Sequence, residues 1–188
     1  MHHCRMQKPN WRRRSSSYLV DSPFMRLRAD EIELPDGTIV PNYYVRESRG
    51  YVVAFPLTDD GRIVLVRQYR YGSDAFHLEL PAGMLDGDEE PVACAARELA
   101  EETGYEAAEW NFVGDWYIEP VRSAGKAYVF YGTGARKTRE PTPDPTETLE
   151  VELATCEEFR ATLSGGRIDT AFVVAAGYRV LDYLGKLR

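Results

Sequence analysis

The chain has 188 residues, enough for one domain with a small appendage and a sizeable core. Its 44% hydrophobic and 28% charged content is that of a globular protein, and no apolar run approaches the roughly 18 residues of a membrane span. The net charge of −7 is uneven: residues 1–14 hold five Lys or Arg and no acid, leaving 18 basic against 30 acidic residues, or −12, in the rest. An acidic body of that kind argues against wrapping nucleic acid.

The start, MHHCRMQKPNWRRR, has no apolar stretch and does not read as a secretory leader. Residues 1–17 are expected to be a disordered basic tail, with His2-His3-Cys4 part of it rather than a soft-metal site. Cys4, Cys94 and Cys156 are odd in number and lack metal-ligand spacing, which fits a reduced, cytoplasmic setting. Cys94 is expected to face the core.

Residues 24–34 partly alternate, Pro35-Asp36-Gly37 signals a turn, and 38–45 read as a returning strand. This N-terminal hairpin region spans 18–48, and the main domain 49–188. Residues 51–58 form a mostly apolar strand, Asp59-Asp60-Gly61 turns the chain, and 62–70 form a strand apolar on both faces, hence central. Residues 76–80 are a short strand ended by Pro81-Ala82-Gly83. A helix is predicted from about 90 to 103, with Pro91 in its first turn, Gly104 as its stop, and Val92, Ala95, Ala96, Leu99 and Thr103 as its buried stripe.

Strands follow at 110–118 and 126–131. Residues 135–146, with three prolines, read as a long loop. A strand at 148–153, a short helix at 156–163 and a longer, mostly apolar helix at 168–187 complete the order. The fold class is α/β: an α/β/α sandwich around a mixed sheet, preceded by the small hairpin region.

The chemistry concentrates between Gly83 and Tyr105. Gly83 is followed after five residues by Glu89, after seven more by Arg97-Glu98, then Glu101-Glu102 and Gly104. Glu98, Glu101 and Glu102 are spaced three and four apart and are expected on one helix face. Like charges so placed destabilise a bare helix, but crowded carboxylate oxygens suit a hard divalent cation such as Mg²⁺. A solvated glutamate-rich helix is the bland alternative. Two other stretches are decoys. GTGARKT (132–138) has Arg136 where a phosphate loop needs glycine, and Asp86-Gly87-Asp88 is too short for a calcium loop.

The block 83–105 resembles the signature of the Nudix hydrolases, departing only at its last position, where Tyr105 replaces an aliphatic residue. A wider likeness is to the branch that hydrolyses ADP-ribose and related nucleoside diphosphate sugars. It is carried by VRQYR (66–70), LELPAGMLDGDE (78–89), RELAEETGY (97–105), Pro120, ETLEV (147–151) and GGRIDTAFVVAAGY (165–178). The resemblance implies a metal set of Glu98, Glu101, Glu102 and the Ala82 carbonyl, taking Mg²⁺ with Mn²⁺ as substitute. It implies a structural pair of Glu89 with Arg97, and structural roles for Gly83 and Gly104.

It further implies substrate contacts by Arg70, Glu79 and Pro120, and Glu147 as general base or further metal contact, with Glu101 and Glu102 part of the catalytic set. Each has a plainer alternative: a surface arginine, an outward-facing strand acid, a loop breaker, a polar strand start. Where many members have Ser-Pro-Gly, this chain has Glu119-Pro120-Val121, which leaves the choice among ADP-ribose, GDP-mannose and other nucleotide sugars open. A Nudix fold kept as a non-catalytic binding module is the alternative of another class. The partners implied are a small-molecule nucleotide sugar and a second copy of the chain in a homodimer, with no nucleic acid and no membrane.

Overall fold

A computed structural model describes residues 8–187; His2, His3 and Cys4 lie outside them. Two units are distinguished: residues up to Ser48 together with Glu119–Gly125, and Arg49–Ile118 together with the chain from Lys126.

The first unit is a three-stranded antiparallel sheet rather than a hairpin after a disordered tail. Strand β1 (Arg12–Asp21) pairs with β2 (Arg26–Glu33), and β2 with β3 (Ile39–Glu47). β1 is exposed along its whole length, so it carries no apolar alternation from which a strand can be read. It is held by its ladder and by charge pairs such as Arg12 Nη2 to Glu33 Oε2 at 2.6 Å. Asp30 in β2 is buried, accepting from Ser16 Oγ at 2.6 Å and Arg28 Nε at 3.1 Å. The segment 119–125 joins this sheet through Arg46 N–H to the Arg122 carbonyl at 2.8 Å and Tyr43 O–H to that of Val121 at 2.8 Å.

The second unit contains β4 (Tyr51–Thr58), β5 (Arg62–Arg70), β6 (Ala75–Glu79), β7 (Ala82–Met84) and α1 (Pro91–Thr103). Then come β8 (Tyr105–Glu106), β9 (Glu109–Tyr117), β10 (Lys126–Lys137), β11 (Leu149–Thr155), α2 (Cys156–Ser164) and α3 (Ala171–Tyr183). The sheet is mixed: β4 and β10 are parallel, and every other pairing is antiparallel. Its path runs β11-β5-β4-β10-β8, with β6 on β5, β7 on β4 and β9 on β10. One face buries Val52, Ala54 and Val64 against Cys94, Ala95 and Leu99 of α1. The other buries Val53, Phe55, Ile63 and Leu65 against Phe159 of α2 and Val173, Ala176 and Val180 of α3. This is the α/β/α sandwich expected.

The departures from expectation are local. β10 runs on to Lys137, through residues assigned to the loop, because β8 supplies antiparallel partners at Arg136 and Lys137. β7 and β8, of three and two residues, are too short for a periodic signal. Val92 and Ala96 of α1 are exposed, while Cys94 and Ala100 are buried, so the buried stripe is rotated from the predicted one. α3 starts at Ala171, after Ile168 has been buried as part of the preceding loop, and ends at Tyr183. α2 begins with a capping box, Thr155 and Glu158 each bonding the other's backbone N–H.

The sheet opens between β4 and β5. These strands share one registered pair, Leu57 with Ile63; beyond it β4 turns to β7 and β5 to β6. No helix among the described residues is long and apolar enough to cross a membrane.

Phe159 is fully buried and meets Phe55 edge-on at 5.3 Å between ring centres. Phe159→Ala is expected to lower stability by about 3–5 kcal/mol, read by urea unfolding.

Candidate active site

The helix α1 delivers the carboxylates. Pro91 opens it, and Gly104 closes it in the left-handed region (φ 73°), its N–H donating to the Ala100 carbonyl at 3.0 Å. Buried Leu99 and Thr103 fix its rotation, which turns Glu102 inward until 2% of it is exposed. Glu102 Oε2 accepts the Ala82 N–H at 3.3 Å. The Ala82 amide thus holds the acid in place next to the Ala82 carbonyl that the resemblance implied as a metal contact. Glu98, four residues back, lays its carboxylate over Gly83 in β7, where a Cβ would overlap it. A larger residue there would push the Glu98 carboxylate out of this position.

Arg97 is the hub of the surrounding charges. Its Nε and Nη2 pair with the two oxygens of Glu89 at 3.0 and 2.9 Å. Its Nη1 reaches Glu98 Oε1 at 2.8 Å and Glu101 Oε2 at 3.1 Å, and Nη2 also donates to the Met84 carbonyl at 3.2 Å. One guanidinium therefore ties the loop after β7 to the helix. Glu101 shares Arg97 Nη1 with Glu98 and is partly exposed, whereas Glu102 is buried. Cys94 beside it is buried, its thiol pushed up to about 12 by burial, which excludes a thiolate nucleophile.

The inner carboxylates are poorly compensated. Burial first, then the charges of Glu98 and Glu147, hold the Glu102 carboxyl well above the usual range, with Ala82 and Arg70 relieving it only in part. Glu98 is also raised, by burial, with Arg97 opposing and Glu101 and Glu147 adding to the shift. Glu147 therefore stands close enough for its charge to bear on both. It lies in the segment between β10 and β11, where its Oε2 accepts the Asp144 N–H at 3.0 Å. That segment is tied to the end of α1: Thr142 N–H donates to the Glu101 carbonyl at 2.7 Å, and Thr138 N–H to that of Gly104 at 2.9 Å.

A second network lies at the opening of the sheet. Arg70 binds Glu79 through Nη2 at 2.5 Å and Nε at 3.2 Å. Glu79 is buried, not outward-facing, and its other oxygen accepts Thr170 Oγ1 at 2.9 Å. Thr170 precedes α3 without capping it, its hydroxyl being used on Glu79 instead. Tyr51 is here too: burial, with the charges of Glu79, Glu102 and Glu98, raises its phenol, against Arg70. Tyr51, Thr170 and the buried Gln68 were not picked out from the sequence. Tyr51 and Thr170 look like ordinary strand and helix-start residues, and only Gln68, a polar residue within an apolar strand, left a signal. Pro120 is exposed in the 119–125 segment of the first unit.

Ser73, His77 and Asp169 form a hydroxyl–imidazole–carboxylate chain, with Oγ to Nε2 at 2.6 Å and Nδ1 to Oδ1 at 2.7 Å. The amides of Ser73 and Asp74 both point back to carbonyls of the same turn, those of Arg70 and Tyr71. Neither amide is available as an oxyanion donor, so the chain acts as a clamp between β6 and the entry to α3.

The donor chemistry fits a hard divalent cation. The acids offer only oxygen, with Glu102 buried and Glu98 half-buried against like charge, and glycine leaves room beside them. Among the described residues no three His, Cys, Asp or Glu side chains form a ready-made cation cage.

A model of the NUDIX domain matches residues 47–172, and a model of the nucleoside diphosphate sugar hydrolase N-terminal domain matches residues 11–45. The chain belongs to the Nudix family and is a pyrophosphohydrolase of it. It is 33% identical over 165 residues to the methanol dehydrogenase activator of Bacillus methanolicus, covering 84% of this chain and 86% of that one. It is 38% identical over 128 residues to the ADP-ribose pyrophosphatase of Mycobacterium tuberculosis, covering 68% of this chain and 61% of that one. In fold it is similar to a crystal structure described as an ADP compounds hydrolase, with a TM-score of 0.81, 21% identity, and coverage of 96% of this chain and 98% of that one.

Arg97 holds the Glu89 carboxyl down to about 2, from an ordinary 4.5. A depressed folded value stabilises above the unfolded value and fades as pH falls from 4.5 towards 2. Glu89→Gln is expected to cost about 1–2 kcal/mol at pH 7, allowing for solvent screening. Urea unfolding should show that gap closing between pH 4.5 and pH 2.5.

Proposed function

We propose that this enzyme hydrolyses the diphosphate bond of ADP-ribose, giving AMP and ribose 5-phosphate, with Mg²⁺ bound and Mn²⁺ able to replace it. The observation that carries the reading is the placement of buried Glu102 one turn from half-buried Glu98, with the Glu147 charge bearing on both. Metal-free, these groups repel one another and favour protonation. A divalent cation bound there supplies neutralisation of the phosphate charge and polarisation of the phosphoryl group.

The chain's own residues do the rest. Glu98 and Glu102 are the cation's carboxylate ligands, with Glu101 in support. Arg70, steadied by Glu79 and Thr170, offers its guanidinium to the diphosphate or ribose. Glu147 takes a proton from the attacking water. The water oxygen bonds to phosphorus, the bridging P–O bond breaks, and the leaving phosphate departs with the electron pair. The similarity to an ADP-ribose pyrophosphatase supports this substrate. The match to the nucleoside diphosphate sugar hydrolase N-terminal domain supports the wider class.

GDP-mannose is the second reading, because Glu119-Pro120-Val121 departs from the sequence common in the ADP-ribose branch. A panel of nucleoside diphosphate sugars with Mg²⁺, read by phosphate-ester products, decides between them. Binding without product would leave a non-catalytic module. Glu102→Gln is expected to abolish turnover while the fold survives, and Glu147→Gln to slow it about 10²- to 10⁴-fold. Full activity in either variant would remove that residue from its role.

The same reading takes the enzyme to be a homodimer. The edge strand β1 exposes Tyr18, Leu19 and Val20, a surface that pairing would protect. Sedimentation equilibrium yielding a 21.4 kDa species at micromolar concentration would exclude it.

A further inference from the structure

Gln68 in β5 is 2% exposed, and no protein donor reaches its side-chain Oε1. Among the described residues it is the one buried side-chain polar atom left so. An unsatisfied buried acceptor costs about 1–3 kcal/mol, and an apolar side chain of similar volume would avoid that cost.

Its place in the sheet is informative. Alternation along β5 puts Gln68 on the face of Val64 and Val66, and Val64 packs with Leu99 of α1. Glu102 follows Leu99 by one turn on the buried side of that helix. Across the ladder Gln68 is registered with Leu149 of β11. The pairing continues for one residue, Tyr69 N–H donating to the Thr148 carbonyl at 3.0 Å, so Glu147 comes next. Arg70, whose charge bears on Glu102, lies two residues on along β5. The unpartnered acceptor thus sits among the elements that carry Glu102, Glu147 and Arg70.

We infer that Gln68 positions the attacking water of the proposed hydrolysis, its Oε1 accepting one O–H while Glu147 accepts the other. This rests on the function proposed above. A water attacking phosphorus points a lone pair at it, so both hydrogens turn away and each needs an acceptor. One acceptor takes a proton and must be a base. The other only orients, and a neutral amide carbonyl does this without adding negative charge beside Glu98, Glu102 and Glu147. In the step, the water oxygen bonds to phosphorus and the bridging P–O bond breaks, its electron pair leaving with the departing phosphate. One proton passes to Glu147. The other stays on the transferred oxygen, hydrogen-bonded to Gln68. A phosphate oxygen does not compete for Oε1, because both are acceptors.

Gln68→Met and Gln68→Leu test this on the full chain, using the best diphosphate substrate of the wild type with Mg²⁺. Thermal midpoint and Mn²⁺ binding without substrate are measured alongside. The expected result is a kcat lower by about 10- to 100-fold with KM within about twofold. The midpoint should be equal or higher, and Mn²⁺ affinity unchanged. An undiminished kcat in both variants overturns the inference. So does a raised KM at constant kcat, which would assign Oε1 to a substrate hydroxyl. Loss of folding in both variants would make Gln68 structural and overturn it as well. Absence of turnover in the wild type would instead sink the proposed function, and this inference with it.

Discussion

A carboxylate shut away from water has to be compensated from within the protein, and Glu102 is compensated only in part. It receives one backbone N–H, from Ala82, and faces the like charges of Glu98 and Glu147. Nothing about α1 alone would hold it there. The helix is pinned by Leu99 and Thr103 beneath it and by the left-handed Gly104 at its end, so the acid cannot rotate outward without unpacking the core. The fold therefore stores an unfavourable charge arrangement at one point. Such an arrangement suits a divalent cation, the kind of ion the Nudix family generally uses.

Arg97 gathers three acids, one from the loop after β7 and two from α1. By taking Glu89 on two oxygens and Glu98 and Glu101 on one each, it fixes the loop after β7 against α1. Glu98 is held between Arg97 and the bare backbone of Gly83.

The opening of the sheet has an equally simple origin. β4 and β5 part after one pair because each gains its own short antiparallel partner. Arg70, Glu79 and Thr170 connect β5, β6 and the entry to α3 across that region. The last residue of β5, the last residue of β6 and a helix-start hydroxyl 91 positions from Glu79 form one mount for a guanidinium.

The sequence by itself determined the sandwich, the helix carrying Glu98 and Glu102, the pairing of Glu89 with Arg97 as an expectation, and the family. The sandwich and the helix rest on periodicity and fixed spacing, which are local properties of the chain, and the Glu89–Arg97 pair and the family on the resemblance of residues 83–105 to a known signature. It did not reveal β1, because a strand exposed on both faces has no hydrophobic pattern. Nor did it show the full length of β10 or the short β7 and β8, which exist through their partners. Only the tertiary structure decided that Glu101 turns to Arg97, that Glu79 is buried and bound to Arg70, and that Tyr51 and Thr170 come to the buried acids. The reason is that burial and charge coupling depend on residues brought together from distant parts of the chain, and spacing along one segment carries no record of them.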